Sequence, residues 1–336
     1  MSAADVVVTV RFFDEGAVAR LAERGFRVIR APDVAYDALD SVITPGVEIA
    51  LKSAQAWIIG AAPVTRQVLE RFPHLKVVAR RGVGFDTVDT EAIKSLGRLL
   101  TNTPGGNEPA VADHTIALML AVGKRVAESR ARLQGGDWRA IVGTELHRKT
   151  VGLIGVGRIG SLVAKRLGGF EARVLAYDPY LDSAGARAAG VIPCSLEQLL
   201  RESDYVSLHA PLTPQTRQLI NAETLSLMKP SAIVVNTSRG ELIEESALLA
   251  CLRNEKLGGA GLDVFACEHD SSLMHLAQSL LSLPNVVGTP HTAASTREGL
   301  HRANMTAAEC VACALDGTPV PERCIVADGR APVHSE

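Results

Sequence analysis

Short apolar runs recur along the chain, separated by stretches in which apolar positions return every three to four residues. Residues 6–10 (VVVTV) read as a strand, 15–24 as a helix with Val18, Leu21 and Ala22 on one face, and 27–29 as the next strand. The pattern continues with a helix at 49–53, a strand at 56–59 (AWII), a short helix at 65–71, and strands at 77–79 and 99–101. A long helix is expected over 110–133. Strands at 151–154, 173–177, 205–208, 232–236, 259–262 and 286–288 follow. They alternate with helices, one carrying Leu162, Val163 and Leu167 and others at 196–201, 245–254 and 298–315. Such alternation implies parallel sheets covered on both faces.

A chain of 336 residues exceeds one ordinary core and fits two domains. The polar, turn-rich stretch 102–109 (NTPGGNEP) is where one domain gives way to the next, and the helix at 298–315 carries the chain back. The expected fold class is therefore α/β, with two doubly wound parallel-sheet domains. A dinucleotide-binding Rossmann domain at 103–292 would be inserted in a discontinuous, flavodoxin-like substrate domain made of 1–102 and 293–336.

The inserted domain is identified by residues 151–160, VGLIGVGRIG. A strand runs into Gly155, Gly157 and Gly160 and a helix follows. Gly155 permits the sharp turn, Gly157 has no Cβ to block a pyrophosphate, and Gly160 lets helix and strand pack closely. The phosphates would sit on the helix N-terminus, where N–H groups and the macrodipole favour an anion. The strand at 173–177 ends in Asp178, near the spacing of a ribose-binding carboxylate. The first region lacks this fingerprint and is read as the substrate half. Its loop Arg80, Arg81, Gly82, Val83, Gly84, Phe85, Asp86 follows a strand end and has two readings. It is either an anion-binding loop or a solvated basic turn before a helix capped by Asp86 or Asp89.

Strand ends in the middle region carry chemically capable groups: His209 and Pro211, then Thr237, Ser238 and Arg239, then Asp263, then Thr289 and His291. Strand ends converging on one crevice make a site. TPQT at 213–216, with Thr216, also reads as a plain turn. Arg239 offers a planar fork for a carboxylate and the adjacent oxygen of a 2-hydroxy or 2-keto acid. His291 suits proton transfer near neutral pH, and Glu268 could bind its other ring nitrogen and fix the tautomer.

Composition narrows the class further. A hydrophobic fraction of 47%, a charged fraction of 21% and a net charge of −2 describe a globular chain with no electrostatic case for nucleic acid or an acidic membrane as partner. The six cysteines, at 194, 251, 267, 310, 313 and 324, form neither a disulfide scaffold nor paired zinc-ligand motifs, and no metal is expected. Cys310 and Cys313 form a C-x-x-C inside a helical run and read as ordinary helix residues. Asp5 and Arg11 interrupt any signal-peptide pattern, and no apolar run reaches a membrane span, so a reducing, cytoplasmic setting is expected.

With these motifs in place the chain resembles the D-isomer-specific 2-hydroxyacid dehydrogenases. The resemblance runs from the first strand to about Val326 and rests on VGLIGVGRIG, NTSRGELI, GLDVFACE and TPHTAAST. The loop at 80–89, the stretch 102–109 and the Arg239, Glu268, His291 set look most like the phosphoglycerate dehydrogenase branch. The resemblance implies Arg239 as substrate-binding arginine, His291 as acid/base and Glu268 as its partner. It also implies NAD contacts from Arg158, Ile159, Asp178, the 237–239 backbone and Asp263. Hydride exchange between NAD and a D-2-hydroxy acid is the implied reaction. Members are usually homodimers through the cofactor domain, with the active site between two closing lobes, and the helix from Ala110 is expected in that interface. The end at Glu336 leads to the expectation that the regulatory domain of the long phosphoglycerate dehydrogenases is absent. His269 stands where proline is usual after the glutamate, Asp113 where glutamate is typical, and 270–282 looks more helical than the common loop.

Three other readings share the outline. Formate dehydrogenases are expected to pair the histidine with glutamine, which Glu268 opposes, and phosphite dehydrogenases to carry a lysine near Arg80. An NAD-sensing corepressor of the C-terminal-binding-protein type would keep the triad and use the fold for binding. Within the dehydrogenases, a doubly anionic acid such as 3-phosphoglycerate stands against small keto acids such as glyoxylate or hydroxypyruvate.

Overall fold

The computed structural model describes residues 4–31 and 43–330. The ends of the assigned substrate domain, 1–3 and 331–336, lie outside the described residues. The strands are β1 (Asp5–Val8), β2 (Arg27–Arg30), β3 (Ala54–Ile59), β4 (Val77–Arg80), β5 (Leu99–Thr101), β6 (Thr150–Ile154) and β7 (Arg173–Tyr177). They continue as β8 (Ile192–Pro193), β9 (Tyr205–Leu208), β10 (Ile233–Asn236), β11 (Gly259–Leu262), β12 (Val286–Gly288) and β13 (Ile325–Asp328). The chain divides into one unit of residues 1–107 and 295–336 and another of 108–294. Residues 103–107, assigned above to the cofactor domain, group with the first unit, where Thr103 N–H donates to the Gly82 carbonyl at 3.0 Å.

The first unit holds a six-stranded sheet in the order β13-β5-β4-β3-β1-β2, parallel except for β13, which runs antiparallel to β5. Alternation along the strands sorts its core. Val6, Val8, Ile58 and Ala79 face the helices Glu15–Glu23 and Arg297–Asp316, while Val7, Trp57, Ile59 and Val78 face the helices between β2 and β5. Both faces are covered, which is why these strands read as apolar runs. Cys310 and Cys313 are buried in the long helix without a disulfide. β8, β13 and the helix Ser183–Ala189 had no expectation from periodicity. The helix expected at 49–53 is Pro45–Leu51, started by Thr44, whose hydroxyl accepts from Val47 N–H at 3.3 Å.

The second unit holds a seven-stranded sheet, β12-β11-β10-β9-β6-β7-β8, all parallel. The order reverses between β6 and β9, the switch point at which such sheets bind ligands beyond their carboxyl ends. The same alternation operates: Ile154, Leu208, Val234 and Leu262 enter one core, and Leu153, Tyr205, Val235 and Ala176 the other.

One expected element is corrected. The helix of 110–133 is two helices, Glu108–Gly123 and Val126–Gln134, with Arg125 between them in the left-handed region at φ 52°. The Gly123 carbonyl accepts from Thr144 N–H at 2.7 Å, so the first helix ends where it meets another segment. Ten of its sixteen residues are buried, whereas no residue of Val126–Gln134 is buried. The segment 270–282 is helical as anticipated, with a 3₁₀ turn Ser271–Leu273 and the helix Met274–Leu281. Among the described residues no helix is long and apolar enough to cross a membrane.

The start of the first sheet rests on a polar tie. Asp5 is buried and accepts from Arg27 Nε and Nη2 at 2.7 Å each and from Ser53 Oγ at 3.0 Å, joining β1 to β2 and to the entry of β3. The Arg27 bond draws the Asp5 carboxyl below its ordinary range, against the opposing effect of burial. A lowered folded value means that the stabilisation is complete above the unfolded value, near 4, and is lost as pH falls through the folded one. Asp5→Asn should therefore destabilise the protein by about 1–2 kcal/mol near neutral pH. The difference from wild type should shrink below about pH 4 in urea titrations, and a gap constant with pH would remove the ion pair from the account.

Candidate active site

The turn after β6 is built by steric exclusion. Gly155 has φ 92°, and a Cβ there would lie 2.9 Å from Ala210 N; at Gly160 it would lie 2.3 Å from the Gly155 carbonyl oxygen. In front of Gly157 a Cβ would meet nothing within 4 Å. The helix Arg158–Leu167 begins at Gly157 without a side-chain cap hydrogen bond. Arg158 is exposed and Ile159 half-buried in its first turn. Asp178, just past β7, is fastened to this turn: Oδ2 accepts from Val156 N–H and Oδ1 from Tyr180 N–H, both at 2.9 Å. Each oxygen keeps a second lone pair for a hydroxyl. A cradle open in front of one glycine, an uncapped helix start and an oriented carboxylate together fit a dinucleotide.

The neighbouring loop after β9 carries His209 and Thr216. His209 Nε2 lies 3.0 Å from Ser207 Oγ, and burial pushes the imidazole down to about 4, so it is neutral near pH 7. Thr216 Oγ1 donates to the Pro211 carbonyl at 2.7 Å and accepts from Thr213 N–H at 2.8 Å, which makes it an organiser of its own turn.

The ends of β10, β11 and β12, adjacent in the sheet, bring together the arginine, glutamate and histidine singled out in the sequence. Thr237 Oγ1 lies 3.0 Å from Thr115 Oγ1, and Ser238 Oγ donates to the Ala210 carbonyl at 2.6 Å. Arg239 is held at both ends: its carbonyl accepts from Asn236 Nδ2 at 2.8 Å and its Nη1 donates to the Ser238 carbonyl at 2.8 Å. Glu268 closes the 3₁₀ turn Ala266–Glu268; Oε1 accepts from Phe265 N–H at 2.8 Å and Oε2 lies 2.5 Å from His291 Nδ1. His291 adopts φ 50°, and its N–H donates to the Asp263 carbonyl at 2.7 Å.

Asp263, fully buried, organises that turn. Its carboxylate accepts from Thr289 Oγ1 at 2.5 Å, Thr292 N–H at 2.8 Å and Ala293 N–H at 2.9 Å, with His114 Nε2 at 3.5 Å. Burial raises its carboxyl, but the donors from His114, Thr289, Ala293 and Thr292 outweigh it and hold the group below the ordinary range. Sequence reading assigned Asp263 to the cofactor and missed His114 and Thr292. The available signal was the polar triplet Asp113, His114 and Thr115 in a mostly apolar helix.

Residues 80–84 belong to the first unit. Arg80 Nη1 donates to the Arg81 carbonyl and Arg81 Nη1 to the Arg11 carbonyl. Gly82 N–H donates to Thr103 Oγ1 at 2.8 Å and Asn102 Nδ2 to the Val83 carbonyl at 2.9 Å, tying Val83 and the loop that continues through Gly84 to the end of β5. Asp89, rather than Asp86, caps the following helix through Ala92 N–H at 2.8 Å.

Comparison with known proteins follows the same lines. Residues 116–293 match the family model described as D-isomer specific 2-hydroxyacid dehydrogenase, NAD binding domain. The D-3-phosphoglycerate dehydrogenase of Mycobacterium leprae is 44% identical over 278 residues, covering 81% of this chain and 51% of that protein. The hydroxypyruvate reductase of Thermotoga maritima is 41% identical over 251 residues, covering 74% and 80%. The structure of D-lactate dehydrogenase from Aquifex aeolicus, complexed with NAD and lactic acid, superposes with a TM-score of 0.82 at 30% identity, covering 96% of this chain and 98% of that one. The chain spans about half the length of the curated phosphoglycerate dehydrogenases it matches.

The anchored Asp178 carboxylate would accept from ribose hydroxyls and repel a 2′-phosphate. Fluorescence titration should show NADH bound more tightly than NADPH, and Asp178→Asn, which keeps one acceptor for Val156, should narrow the gap about tenfold or more. Equal affinities in the wild type would remove the assignment.

Proposed function

The chain belongs to the D-isomer specific 2-hydroxyacid dehydrogenase family, and from that premise we propose that it interconverts a D-2-hydroxy acid and its 2-keto acid. The observation that carries this reading is the 2.5 Å bond between Glu268 Oε2 and His291 Nδ1 at strand ends beside Arg239. NAD, when bound, supplies the hydride acceptor or donor. Arg239 holds the substrate carboxylate through its planar fork. Glu268 occupies Nδ1 and leaves Nε2 of His291 to exchange a proton with the C2 oxygen. The carboxylate favours the imidazolium that forms when the hydroxyl proton arrives. Thr237, Ser238 and the glycine turn support the cofactor, and Asp263 seats the histidine.

For the substrate we favour a doubly anionic acid of the 3-phosphoglycerate kind. The 44% identity to an M. leprae protein of that name supports it, as do two arginines on the glycine loop at 80–84. The match to a hydroxypyruvate reductase over 80% of its length supports a small keto acid as the second reading. One assay separates them: NADH oxidation with 3-phosphohydroxypyruvate, 2-ketoglutarate, hydroxypyruvate, pyruvate and glyoxylate. His291→Asn should lower turnover about a hundredfold or more while NADH binding stays near wild type. Arg80→Ala should lower kcat/KM about ten- to a hundredfold on the doubly charged acids and little on the others. Uniform losses, or none, would leave the small-acid reading. NADH binding without turnover on any acid would favour a binding protein of the corepressor kind.

For assembly we propose a homodimer through the second unit, using the surface that follows the broken helix. Val126 and Leu133, about half exposed, with Trp138 (84% exposed) and Val142 (89% exposed), present apolar side chains to solvent along residues 126–142. Val126 and Leu133 lie in the C-terminal part of the span 110–133 expected at the interface, now a separate helix. Trp138→Glu should shift the sedimentation coefficient from dimer to monomer at micromolar protein. A wild-type monomer, or a variant that remains dimeric, would refute this surface.

A further inference from the structure

Behind Glu268 lies a second carboxyl group that the reaction does not use. Glu245 opens the helix Glu245–Arg253 and is 6% exposed. Its Oε1 accepts from Ala266 N–H at 2.7 Å, and Ala266 begins the 3₁₀ turn that ends in Glu268. The peptide between Phe265 and Ala266 also meets Gly240: a Cβ there would stand 2.1 Å from the Phe265 carbonyl carbon and 2.2 Å from Ala266 N. Gly240 directly follows Arg239. One peptide is therefore in contact with the backbone beside the substrate arginine and bonded to the Glu245 carboxyl, and it leads within two residues to the partner of His291. A further tie joins the same two turns, since Glu241 Oε1 lies 2.7 Å from His269 Nδ1.

Resting on the roles given above to Arg239, Glu268 and His291, we propose that Glu245 is a positioning residue that clamps the 265–266 peptide and so sets the Glu268 carboxylate against His291. Glu245 Oε2 is buried and has no hydrogen-bond partner among the described residues. The titratable groups around it are Glu241 on the preceding turn and Cys267, Glu268 and His269 on the facing one. Burial pushes the Glu245 carboxyl above its ordinary range, the Ala266 bond opposes this, and the charges of Glu241 and Glu268 add to the rise. What the clamp needs is an acceptor oxygen held at this distance from the Ala266 N–H. An amide reproduces an acceptor oxygen at the same reach. A shorter carboxylate does not.

The test uses the full chain with Glu245→Gln, Glu245→Asp and Glu245→Ala. Three quantities are read: the pH profile of kcat with the best keto acid, NADH binding by fluorescence, and the pH midpoint of the His291 imidazole by NMR, assigned by its loss in His291→Asn. Glu245→Gln should stay within about threefold of wild-type kcat with the profile unmoved. Glu245→Asp and Glu245→Ala should lose about ten- to a hundredfold in kcat and move the midpoint, with NADH binding changed less than about threefold. Should Glu245→Ala fail to fold, the contrast between Gln and Asp carries the decision. Wild-type kcat and midpoint in the Asp variant would overturn the clamp, as would Gln behaving like Asp, which would require an anion. If the wild type reduces no keto acid, the functional reading fails by itself, and the His291 midpoint still decides whether Glu245 sets the pair.

Discussion

The Asp263 carboxylate is the point from which the rest of the site is built. A buried anion is tolerated only when donors surround it, and here they come from the Thr289 hydroxyl, the backbone of Thr292 and Ala293, and the His114 ring. Satisfying that charge forces the segment after β12 to fold back over the end of β11. The Asp263 carbonyl also takes the His291 N–H, so the same residue holds the histidine in a left-handed conformation that β-carbon sterics would otherwise disfavour. The backbone of His291 is thus set by the residue that carries this buried charge.

Parallel sheets explain why the rest of the machinery gathers nearby. With apolar residues filling both faces, polar groups have room only at the strand ends, and in a parallel sheet the carboxyl ends lie on one edge. β10, β11 and β12 are neighbours, so Arg239, Glu268 and His291, spread over more than fifty positions of sequence, arrive on adjacent loops. The glycine turn after β6 and the carboxylate after β7 occupy the same edge at the point where strand order reverses.

The turns that bear Arg239 and Glu268 are linked by contact of backbone with backbone. Gly240 admits the 265–266 peptide at a distance no side chain would allow, and Glu245 caps its N–H from the start of the next helix. Carboxylate, arginine and imidazole are therefore held by a small set of peptides, and their geometry depends on groups that never approach a substrate. Such supporting contacts keep a catalytic constellation within tolerance.

Sequence by itself determined the alternation of strands and helices, the division into two sheets, the glycine turn followed by Asp178, and the placing of Arg239 and His291 just beyond strand ends. Each of these is written in neighbouring residues: apolar periodicity reports the face an element buries, and a residue type at a strand end reports its chemistry. Tertiary structure alone decided the break between Gly123 and Val126, where a carbonyl turns to Thr144, and the small edge strands β8 and β13, whose pairing comes from distant partners. It also decided the donors of Asp263 and the peptide held by Glu245. Periodicity tells a side chain to be buried but does not name what it meets, and a buried carboxylate acquires its function from whichever distant N–H or hydroxyl the packed chain delivers to it.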